Sequence, residues 1–119
     1  MLVAGGKFSI FLYPRPMDMR AGYDRLAFLC DAELGIDPYQ GAVFLFFNRE
    51  RNRAKVFFYD GTGSCVFSKR LELGRFKIPE VGEGQTYGSV PSSELALLLE
   101  GVDTSKLKKP KGWRPKDSK

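Results

Sequence analysis

Apolar runs alternate with turn-forming residues along this chain, and the runs predict short strands. The run 8–13 is apolar, rich in strand-forming residues and ended by prolines, so it predicts a first strand. Two continuous apolar runs, 42–47 and 55–59, flank a polar loop and predict paired central strands. An Asp-Gly turn then leads into a third strand over 64–71. The middle of the chain is therefore expected to be an antiparallel meander.

Two further segments carry apolar residues at helical spacing. In the first, Asp18 is expected to cap a helix and Gly35 to end it in a left-handed conformation. The predicted inner face consists of Tyr23, Leu26, Ala27, Cys30 and Leu34. The second segment, 92–100, is followed by Gly101, which repeats the stop pattern. The sequence thus predicts one helix before the meander and one after it.

These elements together predict an α+β fold. We expect a small single domain over residues 1–105, with a mainly antiparallel sheet, a central three-stranded meander and two helices. Short edge strands are expected at 76–78 and 85–89. The remaining residues, 106–119, contain seven basic residues, two prolines and a glycine. Because such a segment has too little apolar surface to bury, it predicts a disordered basic C-terminal tail.

The predicted central strands carry large apolar side chains on both faces. In the first of them, Phe44 and Phe46 alternate with Val43, Leu45 and Phe47. Two short helices are expected to cover only one face well, so loops, chain ends or another protein must shield the other. The pattern therefore predicts a homodimer, or a heteromeric partner, through an apolar sheet face.

The composition limits the chemistry open to this chain. It has 119 residues, of which 43% are hydrophobic, enough for a real core. It has no His, and its two Cys stand 35 positions apart, so we expect no metal site, no cofactor and no His-dependent triad. Isolated thiols are typical of a reducing compartment, and no export signal or membrane-spanning run is found. A cytoplasmic protein without membrane contact is expected.

The net charge of +5 is divided into blocks. Residues 1–48 sum to −1, residues 49–77 to +5, residues 78–105 to −5 and residues 106–119 to +6. A basic tail is attracted to phosphate backbones through counterion release, but it serves equally well as a solubilising terminus. Both interpretations of the tail stay open at this point.

The basic block from 49 to 77 has four of its eight bases at the tip of a predicted hairpin. If the meander is correct, the bases after the next turn return to the same end of the sheet and form one patch suited to a nucleic-acid backbone. The alternative is a solvated loop whose arginines pair with Glu50, Glu72 and the acids after residue 78. The predicted DNA-binding residues are Arg49, Arg51, Arg53, Lys55, Lys69, Arg70, Arg75 and Lys77.

An enzymatic interpretation rests on Asp60, which follows a predicted strand. Together with Asp18, Asp24 or Glu72 it would form a catalytic metal cluster. However, an Asp-Gly pair at a hairpin is far more often a turn, and Asp18 is sufficiently explained as a helix cap. The sequence therefore predicts no catalytic residue and no enzyme.

Several separated blocks resemble one protein family in order and spacing. The blocks are 18–27, 47–49, 55–56, 59–63, 69–76, Pro79 and 97–103. Over about residues 8–104 the chain closely resembles the TnpB-type accessory proteins, encoded by the second open reading frame of bacterial transposable elements of the insertion-sequence-sixty-six family. The family-motif residues are Asp18, Met19, Arg20, Asp60, Gly61 and Gly74.

The resemblance implies a non-catalytic role in transposition beside a separate transposase. In a first hypothesis, the basic patch and the tail bind DNA, while the protein contacts the transposase and the other accessory protein of the same element. In a second hypothesis, it is an assembly factor for the transposase and does not touch DNA. Charge favours the first hypothesis, and the acidic block 78–105 keeps the second open.

Overall fold

The computed structural model describes residues 8–106, which form one five-stranded sheet with helices on both faces. The strands are β1 (Ser9–Leu12), β2 (Ala42–Phe47), β3 (Arg53–Tyr59), β4 (Ser64–Arg70) and β5 (Gly88–Val90). Their order across the sheet is β4-β3-β2-β1-β5. The predicted α+β fold with a mainly antiparallel sheet is confirmed. The predicted tail lies, apart from Lys106, outside the described residues.

The three central strands, β2, β3 and β4, form the predicted antiparallel meander. β1 joins the other edge of β2 in parallel, with Ile10 beside Val43. β5 then pairs with β1 in the antiparallel sense, with Ile10 beside Val90. A parallel pair needs a crossover connection, and the helical segment between β1 and β2 supplies it.

The first helix, α1, spans Tyr23–Leu29 and continues as a π-helical turn over Cys30–Leu34. Gly35 ends it with a φ of 69°, as predicted. The N-cap position is held by Gly22, so the prediction that Asp18 caps this helix is wrong. Tyr23, the first residue of the helix, is 54% exposed, so its predicted place on the inner face is wrong.

The second helical segment begins with a 3-10 turn over Ser92–Glu94 and continues as α2, Leu95–Leu99. Gly101 follows it with a φ of 88°, so the predicted stop is also present. Among residues 8–106, no helix is long and apolar enough to cross a membrane.

All six residues of β2 are buried, so the core lies on both sides of this strand. On the α1 face, Phe44 and Phe46 belong to a cluster that includes Leu26 and Leu29. On the opposite face, here called the α2 face, the cluster combines residues of β2 with α2 and one loop residue: Val43, Leu45, Leu95, Leu98 and Phe76.

Because the two helices lie on opposite faces, the expectation that both would cover the same face is wrong. The chain itself shields both sides of β2. An uncovered face of β2 therefore no longer argues for a homodimer or a partner at an apolar sheet face. That association stays a prediction.

The segment 71–87 crosses the end of the sheet without forming a strand, so the predicted edge strand at 76–78 is wrong. The Phe76 amide donates to the Arg51 carbonyl oxygen at 2.7 Å, and the ring, 1% exposed, packs 5.3 Å from that of Phe47. This buried ring holds the segment over a sheet face rather than along an edge. The other predicted edge strand, 85–89, is present but shifted to Gly88–Val90.

Candidate nucleic-acid interface

The turn between β2 and β3 is closed by hydrogen bonds from its own residues. Asn48 Oδ1 accepts the backbone amides of Asn52 at 3.0 Å and Arg53 at 2.9 Å. The Arg51 amide donates to the Asn48 carbonyl oxygen at 3.1 Å, and Arg51 has a φ of 62°, which is uncommon for a residue with a side chain. These bonds fix the backbone from which the exposed side chains of Arg49, Arg51 and Arg53 extend.

Arg53 and Arg70 are direct partners in the register of β3 and β4. Partners in an antiparallel pair project to the same side, so both guanidinium groups lie on the α1 face. Both residues are exposed. The bases of the β2–β3 turn and the start of β3 therefore reach the same end of the sheet as the bases at the end of β4.

The segment after β4 adds further bases to this end. The Leu71 amide donates to the Asn52 carbonyl oxygen at 2.8 Å, and the Phe76 bond described above forms the second connection. Arg75 and Lys77 flank the buried Phe76 and are exposed. We call the exposed bases gathered here the basic end: Arg49, Arg51, Arg53, Arg70, Arg75 and Lys77.

Carboxylates neutralise little of the basic end. Arg70 pairs with Glu72 at 3.3 Å, as the solvated-loop interpretation expects. The other five bases form no ion pair within 4.0 Å among the described residues. Glu50 at the tip accepts a hydrogen bond from Asn48 Nδ2 at 3.3 Å instead of pairing with an arginine. Within residues 8–106, Arg70 is thus the one base of the basic end that has an ion-pair partner.

Two of the predicted DNA-binding residues are half-buried and already engaged. Lys55 Nζ donates to the Ala21 carbonyl oxygen at 2.7 Å and so connects the loop before α1 to β3. Lys69 lies on the α2 face and pairs with Glu100 at 3.6 Å. Their contact with DNA stays a prediction, and the exposed arginines of the basic end are the better candidates.

Arg15 is a base near the basic end that the sequence pattern did not single out. Together with Arg49 and Arg51 it lines a groove of about 530 Å³. Its guanidinium pairs with Glu33 and stands 4.9 Å from the centre of the Tyr13 ring. The Tyr13 hydroxyl donates to Glu33 at 2.7 Å, and burial is the main cause that raises its pKa. The sequence pattern could not predict this pair, because the two residues are distant in sequence and only the crossover between β1 and β2 brings them together.

Residues 8–109 match the model of a family described as IS66 Orf2 like protein. The chain belongs to this family. It is 34% identical over 115 residues to the uncharacterized protein y4hO of Sinorhizobium fredii, covering 97% of this chain and 96% of that protein. It is 33% identical over 106 residues to the uncharacterized protein y4jC of the same organism, covering 89% of each. No solved structure matches the chain.

Membership of the IS66 Orf2-like family confirms the resemblance seen in the sequence and makes the chain an insertion-sequence accessory protein. The matched span includes all five strands and the whole basic end. The basic end is therefore part of the family domain and not an appendage to it.

The first block of motif residues of this IS66 Orf2-like chain forms a turn. Asp18 Oδ1 accepts the Arg20 amide at 2.9 Å, and the carboxylate pairs with the Arg20 guanidinium at 2.7 Å. These bonds, the side-chain one first, lower the pKa of Asp18 to about 2. Met19 is half-buried and lines a groove of about 560 Å³ together with Arg53 and Arg70. The motif thus borders the basic end.

The other motif residues shape turns. Asp60 accepts the backbone amides of Thr62 at 3.0 Å and Gly63 at 2.9 Å, which lowers its pKa to about 2. Gly61 and Gly74 have φ values of 101° and 80°, which favour glycine. In the part of the chain that the structure describes, no three Cys, Asp or Glu residues are grouped so that they could hold a metal ion.

Proposed function

We propose that this protein is a non-catalytic accessory factor for transposition of a bacterial insertion sequence that binds DNA through the basic end. It acts in the cytoplasm and assembles with the separate transposase and the other accessory protein of the element. The observation that carries the proposal is the Arg53–Arg70 pair at the end of the sheet. Family membership supports the role in transposition, and the arginine pair supports binding to phosphate groups of DNA.

Like charges directly opposite each other on neighbouring strands destabilise a sheet. Glu72 offsets the charge of Arg70, whereas Arg53 has no ion pair among the described residues. A phosphate group between the two guanidinium groups would remove the repulsion, since arginine binds phosphate through paired hydrogen bonds. Such contacts position a protein on a DNA backbone and carry no sequence information by themselves.

Two of the four carboxylates that sequence analysis considered for catalysis are engaged in structural contacts. Asp18 binds Arg20, and Asp60 accepts two backbone amides of its own turn. Both contacts account for these residues without a reaction, which supports a non-catalytic protein. The activity that we propose is therefore binding.

A salt titration of DNA binding tests the proposal. The variant combines Arg49→Gln, Arg51→Asn and Arg53→Gln, where Asn suits the left-handed backbone at position 51. We leave Lys55 unchanged because it connects two parts of the fold. The matched control is Arg25→Gln, which removes an exposed base on α1, outside the basic end.

For the parent protein, we expect binding to element-end DNA at low salt that weakens steeply as salt rises. The slope of log K against log salt should fall in magnitude by about 0.9 for each phosphate contact that the triple variant loses. The Arg25→Gln control should keep the parent slope. Absence of binding by the parent at low salt, or an unchanged slope in the triple variant, would refute the proposal.

The second candidate function is assembly with the transposase without DNA contact. It is favoured by the block 78–105, which carries five acids and no base. Glu80, Glu83 and Glu100 in this block are exposed and would repel a DNA backbone. Co-purification with the transposase that survives nuclease treatment, combined with no DNA binding at low salt, would establish this alternative in place of the first.

A further inference from the structure

The two outer strands of the sheet differ in how their free edges are protected. β5 has three residues and is followed directly by Pro91, which has no amide hydrogen to donate. β4 has seven residues, and its register with β3 continues from Ser64 to Arg70 without a bulge. Among the described residues, no strand pairs with the outer edge of β4. Natural sheets usually shorten, bend or charge such an edge, and β4 carries charge only at its last two positions.

The centre of β4 also exposes apolar surface. Phe67, the middle residue of the strand, is 47% exposed. It lies on the α2 face, since its partner in the register is the buried Val56 of the α2-face cluster. Beside it is an apolar groove of about 440 Å³, lined by residues of β3, β4 and α2 that include Phe58, Cys65 and Leu99. An open backbone edge and an apolar surface therefore meet at Phe67.

We propose that β4 pairs in the antiparallel sense with β4 of a second copy of this chain, about a two-fold axis at Phe67. The sheet then has ten strands, and the edge of β4 is paired along its length. Phe67 and the partner's Phe67 lie directly opposite each other on one face. Aromatic pairs in this position stabilise a sheet.

The charges of β4 favour a second copy in this orientation. Lys69 lies opposite the partner's Cys65, and Arg70 lies opposite the partner's Ser64, so no like charges face each other. A parallel arrangement in the same register would instead place the basic residues of the two copies side by side, which is unfavourable. In the antiparallel sense two copies of the strand thus keep like charges apart and pair the exposed Phe67 with its counterpart, which favours a second copy as the occupant.

This dimer does not depend on DNA binding. The basic ends of the two copies would lie at opposite ends of the joined sheet. Sedimentation of the full-length protein without DNA therefore tests the dimer separately from the proposed function.

At tens of micromolar we expect a species of twice 13.4 kDa. Phe67→Lys should shift it to the monomer, because two lysines would then lie opposite each other at the axis. Leu73→Lys is the matched control, because Leu73 is 90% exposed and lies outside β4. It should leave the dimer intact. A monomeric parent protein, or a dimer that Phe67→Lys does not weaken, would overturn the proposal.

Cross-linking provides a second measurement that does not depend on the stability of the lysine variant. In a Cys65→Ser background, the Phe67→Cys variant should be joined rapidly to its counterpart by a short bismaleimide. The Ser64→Cys variant in the same background should not be joined, since six residues of strand separate position 64 from its counterpart by about 20 Å. Equal cross-linking at the two positions would overturn the proposed register.

Discussion

Lys55 donates from Nζ to the backbone carbonyl oxygen of Ala21 at 2.7 Å, across 34 positions of sequence. This bond connects the loop before α1 to the middle strand of the meander. Lys55→Met keeps the apolar stem but loses the bond, so we expect the free energy of unfolding to fall by about 1–2 kcal/mol. Urea denaturation measures the change. Lys77→Met, at an exposed position, should have little effect, and equal stabilities of the two variants would contradict the prediction.

Phe76 holds the segment after β4 against the α2 face. Its ring is 1% exposed and packs against Phe47. We expect Phe76→Ala to lower the free energy of unfolding by about 3–5 kcal/mol, because it leaves a cavity in the core. Leu73→Ala in the same segment should change it by less than about 0.5 kcal/mol, since Leu73 is 90% exposed. Denaturation of both variants under identical conditions checks the difference.

The Asp60 turn should make the stability of the protein depend on pH at low pH values. Hydrogen bonds from the Thr62 and Gly63 amides lower the pKa of Asp60 from an ordinary value of 3.8 to about 2. A lowered pKa in the folded state gives stability that is present above about pH 4 and is lost as the pH falls toward 2. Asp60→Asn should therefore flatten the dependence of the urea midpoint on pH in this window.

Thr62→Val is the control for this effect. It removes the hydroxyl bond to Asp60 but keeps both amide bonds, so it should retain most of the pH dependence. A parent protein whose urea midpoint is constant between pH 4 and pH 2 would show that the turn contributes nothing through this carboxylate.

The two cysteines should differ in reactivity. Cys30 is fully buried, and burial raises its pKa to about 12, whereas Cys65 is half-buried. Since the thiolate is the reactive form, we expect a colorimetric thiol reagent to modify Cys65 in the folded protein and both thiols in denaturant. Burial and, after it, the Asp60 charge raise the pKa of Cys65, so Asp60→Asn should accelerate the reaction of this thiol. Rapid reaction in a folded Cys65→Ser variant would contradict the prediction.

Features determined by neighbouring residues could be predicted from the sequence. The meander follows from continuous apolar runs separated by short turns, and the helix ends follow from Gly35 and Gly101. The meeting of Arg53 with Arg70 also follows, because a hairpin with a short turn fixes which residues face each other. In these places sequence separation is small, and local geometry leaves few alternatives.

Features determined by distant residues could not be predicted. The pattern of β1 does not show that it pairs with β2 in parallel, and this crossover is what brings Arg15 to Glu33. The segment 71–87 has neither strand nor helix periodicity, so the sequence does not predict it as a cover for the α2 face. Its buried Phe76 nevertheless packs there, together with partly buried Leu71, Ile78 and Val81. The sequence around Asp18 is compatible with a helix cap and with a turn. In the structure Asp18 forms a turn, in which its carboxylate pairs with Arg20.

The position of β1 between β2 and β5 has a kinetic consequence. Ile10 pairs with Val90, 80 positions away, whereas the meander joins strands that are close in sequence. Closing a long loop costs more chain entropy than closing a hairpin, so we expect the meander to form early in refolding and the β1–β5 pair last. Val90→Ala should then speed unfolding in stopped-flow experiments and leave the refolding rate nearly unchanged. The lifetime of the native state would thus depend on a strand of only three residues.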